Sequence, residues 1–464
     1  AFYYSNKILE EKLSPMQSSE VIDVLDDTHL AQLSKLDSLE LYEYTKKSIE
    51  RFLDISEDYL LNVLREIELP LSIVLSHMES RGIQLDWEKV QILSKDIEKE
   101  IESTTEEIYS IVGHEFNINS PKQLSDILFN ELKLPKSAKG STKESVLRKM
   151  LGMHPLIEHL LYFREISKIK STYVEPLYSN SVKKGGKYSI HTDFKQTGTS
   201  SGRFSSINPN MQNLPLEGVW AKRVRECFVA RRGFKLLGMD YSQMELRIMA
   251  DISNDKLLIQ DFLNGRDIHS ATAARVLNKK LTDITHRERS IGKTVNFGMI
   301  FGQTAFGLSS LLGIDRDTAK EYISAYFNNY SGIENYMRSI EYEAFEKGYV
   351  QTMFGTTRNI TGIRSKNRRL QAASAREAIN MPIQGSEADI MKLVMRNIYS
   401  LIQDKYSKKA YILLQIHDEI VFEVNEKLVE EFSTEVERLM LESVQLEVPF
   451  EVHKSIGNSL SDLK

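Results

Sequence analysis

Two periodicities divide the chain. From Ile67 to Val112 apolar residues recur at intervals of three and four, the repeat of a single helical face, and Asp86 is placed to cap a long helix. We expect a pair of long, largely antiparallel helices in this region. Between them lies a segment with a basic tip containing Gly and Ser, Lys136 to Lys143. Strand-type runs appear elsewhere: HTDFKQT at 191–197, FKLLGMD at 234–240, YILLQI at 411–416, EIVFEV at 419–424 and VPFEVHKSI at 448–456. Residues 1–65 read as short helices without a usable motif, and residues 247–369 read as a helical insertion between the strand-bearing parts. No internal repeat or low-complexity segment is present. The fold class expected is α+β, with helices dominating.

One helical stretch has a pattern that core packing alone does not explain. In Arg289 to Gly302, RSIGKTVNFGMIFG, the residues Arg289, Lys293, Phe297 and Phe301 recur every fourth position, a slowly drifting stripe of two cations and two rings. Cations so placed can hold a polyphosphate, and a ring one turn further on can lie against a sugar or base. A core-facing helix with two cations at its exposed end has the same spacing, so the decision rests on two other segments. LLGMDYSQMELR, Leu236 to Arg247, is an apolar run that ends in Asp240. YILLQIHDEIVFE, Tyr411 to Glu423, joins two strand-type runs at His417, Asp418 and Glu419. Each sets a carboxylate at the end of a buried strand, where charge is costly without a partner such as a metal ion. A solitary Asp there is usually a turn or cap residue. Two of them are what a two-metal phosphoryl-transfer site requires.

Composition changes the picture in two ways. The 464 residues are too many for one compact domain, and 41% hydrophobic with 27% charged residues is ordinary for a globular chain. No apolar run approaches the roughly 20 residues that span a bilayer, so no membrane association is expected. The N-terminus lacks the pattern of a secretory signal, and the single Cys227 excludes an internal disulfide and a Cys-rich zinc site, as expected of a reducing compartment. The net charge of −5 looks wrong for a nucleic-acid partner until it is located. Residues 1–65 hold 13 acidic and 7 basic residues, so the remainder sums to about +1. Basic clusters at Lys133 to Lys149, Arg164 to Lys170, Lys222 to Arg232 and Arg358 to Arg369 favour a channel that tracks a phosphate backbone.

DYSQMELR, then R-x-x-x-K-x-x-x-F-G, then HDE, in this order and at these separations, resemble motifs A, B and C of the family A DNA polymerases, the bacterial polymerase I type. The resemblance runs from about Glu66 to about Gly457. It includes SGRFSSINPNMQNLP at Ser201 to Pro215, DIHSATA at Asp267 to Ala273 and REAINMPIQGSEADI at Arg376 to Ile390. It implies a right-hand polymerase: a helical thumb at 66–189, an antiparallel-sheet palm at 190–246 and 370–464, and helical fingers at 247–369. All the strand runs would meet in the palm sheet. It further implies template-directed DNA synthesis on primer-template DNA with dNTPs, by a monomer. The location expected is cytoplasmic, in a bacterial or phage-infected cell, or in a DNA-containing organelle.

The same resemblance assigns roles. Asp240 and Asp418 would hold two Mg²⁺ ions, for which Mn²⁺ can substitute, with Glu419 secondary. Arg289 and Lys293 would bind phosphates, and His269 would be another phosphate contact. Gln243 and Glu245 follow Asp240 on the turn into a helix, with Glu245 as the steric gate against a 2′-hydroxyl and Phe297 packing under the sugar. Phe301 stands where relatives usually have tyrosine, and keeps the ring without the hydroxyl. Arg203, Arg376, Asn380, Gln384 and Gln415 would read the minor-groove edge of the new base pair, a shape test that does not bias sequence. Pro382 is expected to bend the helix before Gln384. His417 would approach the primer terminus; no second His or Cys lies at zinc-ligand spacing. By the resemblance, the closest counterpart of residues 1–65 would be the tail of a proofreading domain. Relatives with that activity carry a Tyr-x-x-x-Asp helix, whereas here Lys46 follows Tyr42. That substitution, with the shortness of the segment, leads us to expect no proofreading. A single-subunit RNA polymerase should lack the Glu245 gate, and a non-catalytic descendant should have lost Asp240 or Asp418.

Overall fold

The computed structural model describes residues 62–135, 140–197, 199 and 201–463. Residues 1–61, with the expected short helices and the Tyr42 and Lys46 pair, and the centre of the basic tip, 136–139, lie outside the described residues. The chain divides into two compact units. One comprises residues up to 78, 194–205 and 238–454; the other comprises 79–193, 206–237 and 455–464. The architecture is α+β, with helices dominating antiparallel sheets. Among the described residues no helix is long and apolar enough to cross a membrane.

The first unit is built on a four-stranded sheet in the spatial order Ala410–Ile416, Glu419–Asn425, Phe234–Tyr241, Val452–Gly457. The first two form an antiparallel hairpin with Ile416 opposite Glu419, and the register slips between Ile412 and Leu414. Their apolar runs are buried on both faces, as continuous runs of this length predict. Four of the five strand-type runs meet here. HTDFKQT does not: it yields only the short strand Asp193–Lys195, outside this sheet. Its one apolar side chain is the buried Phe194, too little apolar surface to line a sheet face. Against the sheet lies the 38-residue helix Arg368–Lys405, capped by Asn367, whose side chain accepts from the Arg369 and Leu370 amides. The helix runs through Pro382 without interruption. Residues 247–369 are helical as expected, apart from a short hairpin pairing Tyr349–Gln351 with Thr357–Asn359.

In the second unit Trp87–Val112 is a 26-residue helix. Asp86 caps it, accepting from the Lys89 amide at 3.3 Å, and Gly113 ends it in the left-handed region at φ 90°. Helix Pro155–Ile169 returns antiparallel beside it. His159 meets Glu107, Tyr162 meets Glu100, and just beyond the helix Lys170 meets Glu98, so the partner's number falls as the chain advances. A buried cluster around Ile108, Leu124, Leu128, Leu147, Leu156 and Leu160 holds the connecting segment. This unit also has a sheet that helical periodicity did not anticipate, in the order Ser181–Lys184, Lys187–Ile190, Ile83–Leu85, Phe228–Val229. Its signal was the pair Gly185-Gly186, whose φ values of 58° and 79° give the two-residue hairpin turn that only such residues readily adopt.

Candidate active site

The two carboxylates singled out in the sequence are delivered by neighbouring strands. Asp240 is the penultimate residue of Phe234–Tyr241, and Asp418 lies in the turn between Ile416 and Glu419. The Tyr241 amide donates to the Asp418 carbonyl at 3.2 Å, which ties the two strand ends together. Both turns use left-handed backbone at a non-glycine residue, Gln243 at φ 53° after Asp240 and His417 at φ 57° before Asp418. Such conformations persist where surroundings hold them, and they gather at functional sites. Here the restraints are visible. Gln415, buried in the preceding strand, donates its Nε2 to the His417 carbonyl. Beyond Asp240, the Ser242 amide donates to the Glu451 carbonyl at 2.9 Å. Buried Arg247 donates to the Ser242 carbonyl at 2.9 Å and pairs with Glu451 at 2.9 Å.

The stripe Arg289, Lys293, Phe297, Phe301 lies on helix His286–Ile300 and its C-cap. A capping box starts it: the Glu288 amide donates to Thr285 Oγ1 at 3.3 Å and the Thr285 amide donates back to Glu288 Oε2 at 2.9 Å. The Arg289 fork grips Asp267, Nε to Oδ2 at 2.8 Å and Nη2 to Oδ1 at 2.9 Å. Burial alone would raise the Asp267 carboxyl; the Arg289 and Ser270 hydrogen bonds instead pull it down to about 2. Asp267 also caps helix Ile268–Val276, which presents His269. That imidazole is buried, and burial, with Arg289 nearby, pushes it down to about 4. The Asn296 Nδ2 lies 3.2 Å from His269 Nδ1 and can only donate, so the neutral ring carries its proton on Nε2. The rings of His269 and Phe297 are 5.9 Å apart, those of Phe297 and Phe301 6.2 Å apart and nearly parallel. Lys293 is exposed.

Gly292 permits this arrangement. A Cβ there would come within 2.0 Å of the His269 carbonyl oxygen and 2.9 Å of the Ala273 amide nitrogen, so only glycine lets the two helices approach this closely.

A cleft of about 230 Å³ is lined by Arg203, Gln243, Met244, Glu245, Phe297, Glu387, His417 and Asp418. Six of these were singled out in the sequence; Met244 and Glu387 were not. On its wall Arg203 Nη2 donates to Glu245 Oε1 at 3.0 Å and to Glu387 Oε2 at 2.5 Å. Gln384 approaches Glu245 at 3.5 Å. Arg376 packs its side-chain stem against Gly302, and the Asn380 Oδ1 is buried with no hydrogen-bond partner. Glu419, which opens the strand after Asp418, is buried. Asp267 and Glu387 lie within the DIHSATA and REAINMPIQGSEADI stretches, but the sequence assigned neither of them a role; Asp267 holds the cap position before a helix, and Glu387 is a charge between the buried neighbours Ser386 and Ala388.

Among the described residues no group of three or more His, Cys, Asp or Glu side chains forms a ready-made metal cage. Asp240 and Asp418 suit a hard ion that takes few ligands from the protein. They supply oxygen donors alone, on strand ends linked through the backbone, and Mg²⁺ takes one or two carboxylates and fills its shell with water and substrate oxygens.

A sequence model of DNA polymerase family A matches residues 87–462. The chain belongs to DNA polymerase family A. The thermostable DNA polymerase I of Thermus filiformis is 39% identical over 439 residues, 91% of this chain and 52% of that protein. DNA polymerase I of Lactococcus lactis subsp. cremoris is 40% identical over 424 residues, 90% of this chain and 48% of that protein. The chain thus spans about half the length of these relatives. Among solved structures it resembles the polymerase domain of Pol1 from M. smegmatis, in complex with DNA primer-template and dNTP. The TM-score is 0.83 at 35% identity, covering 92% of this chain and 74% of that one. The fold is therefore that of a family A polymerase domain.

Proposed function

We propose that the chain is a DNA-directed DNA polymerase that adds dNTPs to a primer 3′-hydroxyl and releases pyrophosphate. The observation that carries this reading is the meeting of Asp240 and Asp418 at hydrogen-bonded strand ends, beside a cleft faced by Glu245 and Phe297. Membership of family A supports it, as does the likeness to a polymerase domain whose complex contains primer-template and dNTP. In this reading the four-stranded sheet is the palm, residues 247–369 the fingers and the antiparallel helices of 66–189 the thumb, acting as a monomer. The buried Cys227 thiol, pushed up to about 12 chiefly by burial, is inert and suits a reducing, DNA-containing compartment.

Two Mg²⁺ ions held by Asp240 and Asp418, or Mn²⁺ in their place, would lower the pKa of the attacking hydroxyl and neutralise the triphosphate. The protein's own groups do the rest. Arg289 exchanges its Asp267 partner for phosphate oxygens, a swap of one bidentate oxyanion for another. Lys293 adds a point charge from the exposed face of the same helix, and His269 offers a neutral Nε2–H. Glu245 occupies the space a ribose 2′-hydroxyl needs, Phe297 packs under the sugar and Phe301 lies beside the templating base. Arg203, Arg376, Asn380, Gln384, Gln415 and His417 form the side that meets the primer-template minor groove. With Lys46 where a metal-binding carboxylate is needed, this chain is not expected to proofread.

Primer extension tests the reading. Asp240→Asn and Asp418→Asn should each abolish extension on a defined template while duplex binding, dominated by backbone phosphates, persists. Either mutant extending at more than roughly a tenth of the wild-type rate would remove the two-metal assignment.

A further inference from the structure

Three side chains from separate parts of the sequence meet at one nitrogen. Arg203 Nη2 donates to Glu245 Oε1 at 3.0 Å and to Glu387 Oε2 at 2.5 Å, and all three line the cleft. They differ in how firmly the backbone holds them. Arg203 rises from a loop beside Gly202, at φ 78°. Glu245 stands in the first turn of helix Met244–Ser253, its side chain 14% exposed. Glu387 is 4% exposed and lies in mid-helix, within Arg368–Lys405. Its neighbours are pinned: the Ser386 hydroxyl donates to the Pro382 carbonyl at 2.5 Å and accepts from the Met353 amide at 3.0 Å. Gly385 sits so close to Thr352 that a Cβ would come within 2.6 Å of its methyl. Glu387 is the fixed post of the three.

A buried carboxylate facing a cleft is costly, and burial pushes Glu387 up to about 8, with Arg203 pulling it down and Glu245 pushing it up. A small apolar residue would avoid that cost and leave Arg203 paired with Glu245 alone. A guanidinium held by one partly exposed carboxylate swings with it. A second, immobile acceptor on the same nitrogen fixes where that nitrogen sits, and with it the Glu245 oxygen. We propose that Glu387 is a positioning residue for sugar selection: by anchoring Arg203 it holds Glu245 against the cleft, so discrimination against ribonucleotides depends on a side chain that does not touch the sugar. The proposal rests on reading this cleft as the nucleotide site.

Single-nucleotide extension with dCTP and CTP decides it, using wild type, Glu387→Ala, Glu387→Gln, Glu245→Ala and the double mutant Glu245→Ala/Glu387→Ala. Loss of a charge-assisted hydrogen bond should raise the CTP to dCTP ratio of kcat/KM about tenfold or more in Glu387→Ala. Glu387→Gln, which keeps an acceptor oxygen, should recover part of the discrimination. The double mutant should discriminate no worse than Glu245→Ala, because both changes act on one device. A merely structural role would lower use of both nucleotides together and leave the ratio unchanged, and that result overturns the proposal. So does additivity with Glu245→Ala. Should Glu387→Ala fail to fold, the Glu387→Gln ratio decides alone, an unchanged value counting against the role. A wild-type chain that cannot extend a primer with dCTP would instead sink the polymerase reading itself.

Discussion

His269 is a side chain whose chemistry depends on its neighbours. It is 4% exposed, and the chain around it holds the imidazole neutral down to about pH 4, against an ordinary value of 6.5. The unfolded chain therefore binds more protons than the folded one between these values. The His269 contribution to stability is fully present above pH 6.5 and is lost as pH falls toward 4. The difference corresponds to about 3 kcal/mol. We expect His269→Gln to flatten that part of the stability curve. Denaturant unfolding of both proteins at pH 7 and pH 4.5 checks it, and parallel losses would contradict it. Phe301 belongs to the same scale. Its ring continues the stack from Phe297, so the surface that a tyrosine would offer at this place is present without the hydroxyl. Stacking is worth about 1–3 kcal/mol per base and one net hydrogen bond about 0.5–1.5 kcal/mol. Phe301→Tyr should accordingly change kcat/KM for the correct nucleotide less than about tenfold, whereas Phe301→Ser should cost more fidelity in a single-nucleotide misincorporation assay.

For the elements, the helix His286–Ile300 owes its place to a missing side chain. Gly292→Ala must push that helix from Ile268–Val276, since the added methyl would lie 2.0 Å from the His269 carbonyl. Overpacking of this kind costs about 1–3 kcal/mol, and here it also separates Arg289 and Lys293 from His269. Gly298→Ala on the same helix is the contrast: its nearest neighbour is 3.6 Å away, an ordinary contact, and alanine should favour the helix by up to roughly 1 kcal/mol. The pair is read by unfolding midpoints and by KM for dNTP, and equal effects at the two sites would refute the close approach. The element most easily read from sequence was Trp87–Val112, where periodicity and the Asp86 cap agree. The sheet containing Ile83–Leu85 was not read, because strands of 2 to 4 residues carry too little alternation to compete with the helical repeat around them.

For the molecule as a whole, contacts far apart in sequence hold the first unit. Lys392 and Glu68, both fully buried, pair at 2.8 Å across 324 residues, and Gln196 donates to Glu68 at 3.1 Å. Removing one partner leaves the other charge buried. Glu68→Ala should thus cost about 3–5 kcal/mol, while the double change Glu68→Gln/Lys392→Met, which still leaves buried Asp389 without the ammonium 3.9 Å away, should recover only part of it. Chemical denaturation of the single and double mutants measures both, and a single mutant as stable as wild type would show that the pair contributes nothing. The net charge of −5 has meaning only at this scale, since it resides in residues 1–65 and leaves the polymerase fold near neutrality.

The sequence by itself determined the family, the strand-end positions of Asp240 and Asp418, the four-residue stripe on the Arg289 helix and the long helices. Each is written in local periodicity or in a short run of residue types, which a chain carries whatever its fold. Tertiary structure decided the partners. That Asp267 occupies the Arg289 fork, that Gly292 is a point of contact and that Arg203 is shared between Glu245 and Glu387 depend on residues 22 to 184 positions apart. No local pattern specifies such pairings, because burial and distance are set by how whole elements pack.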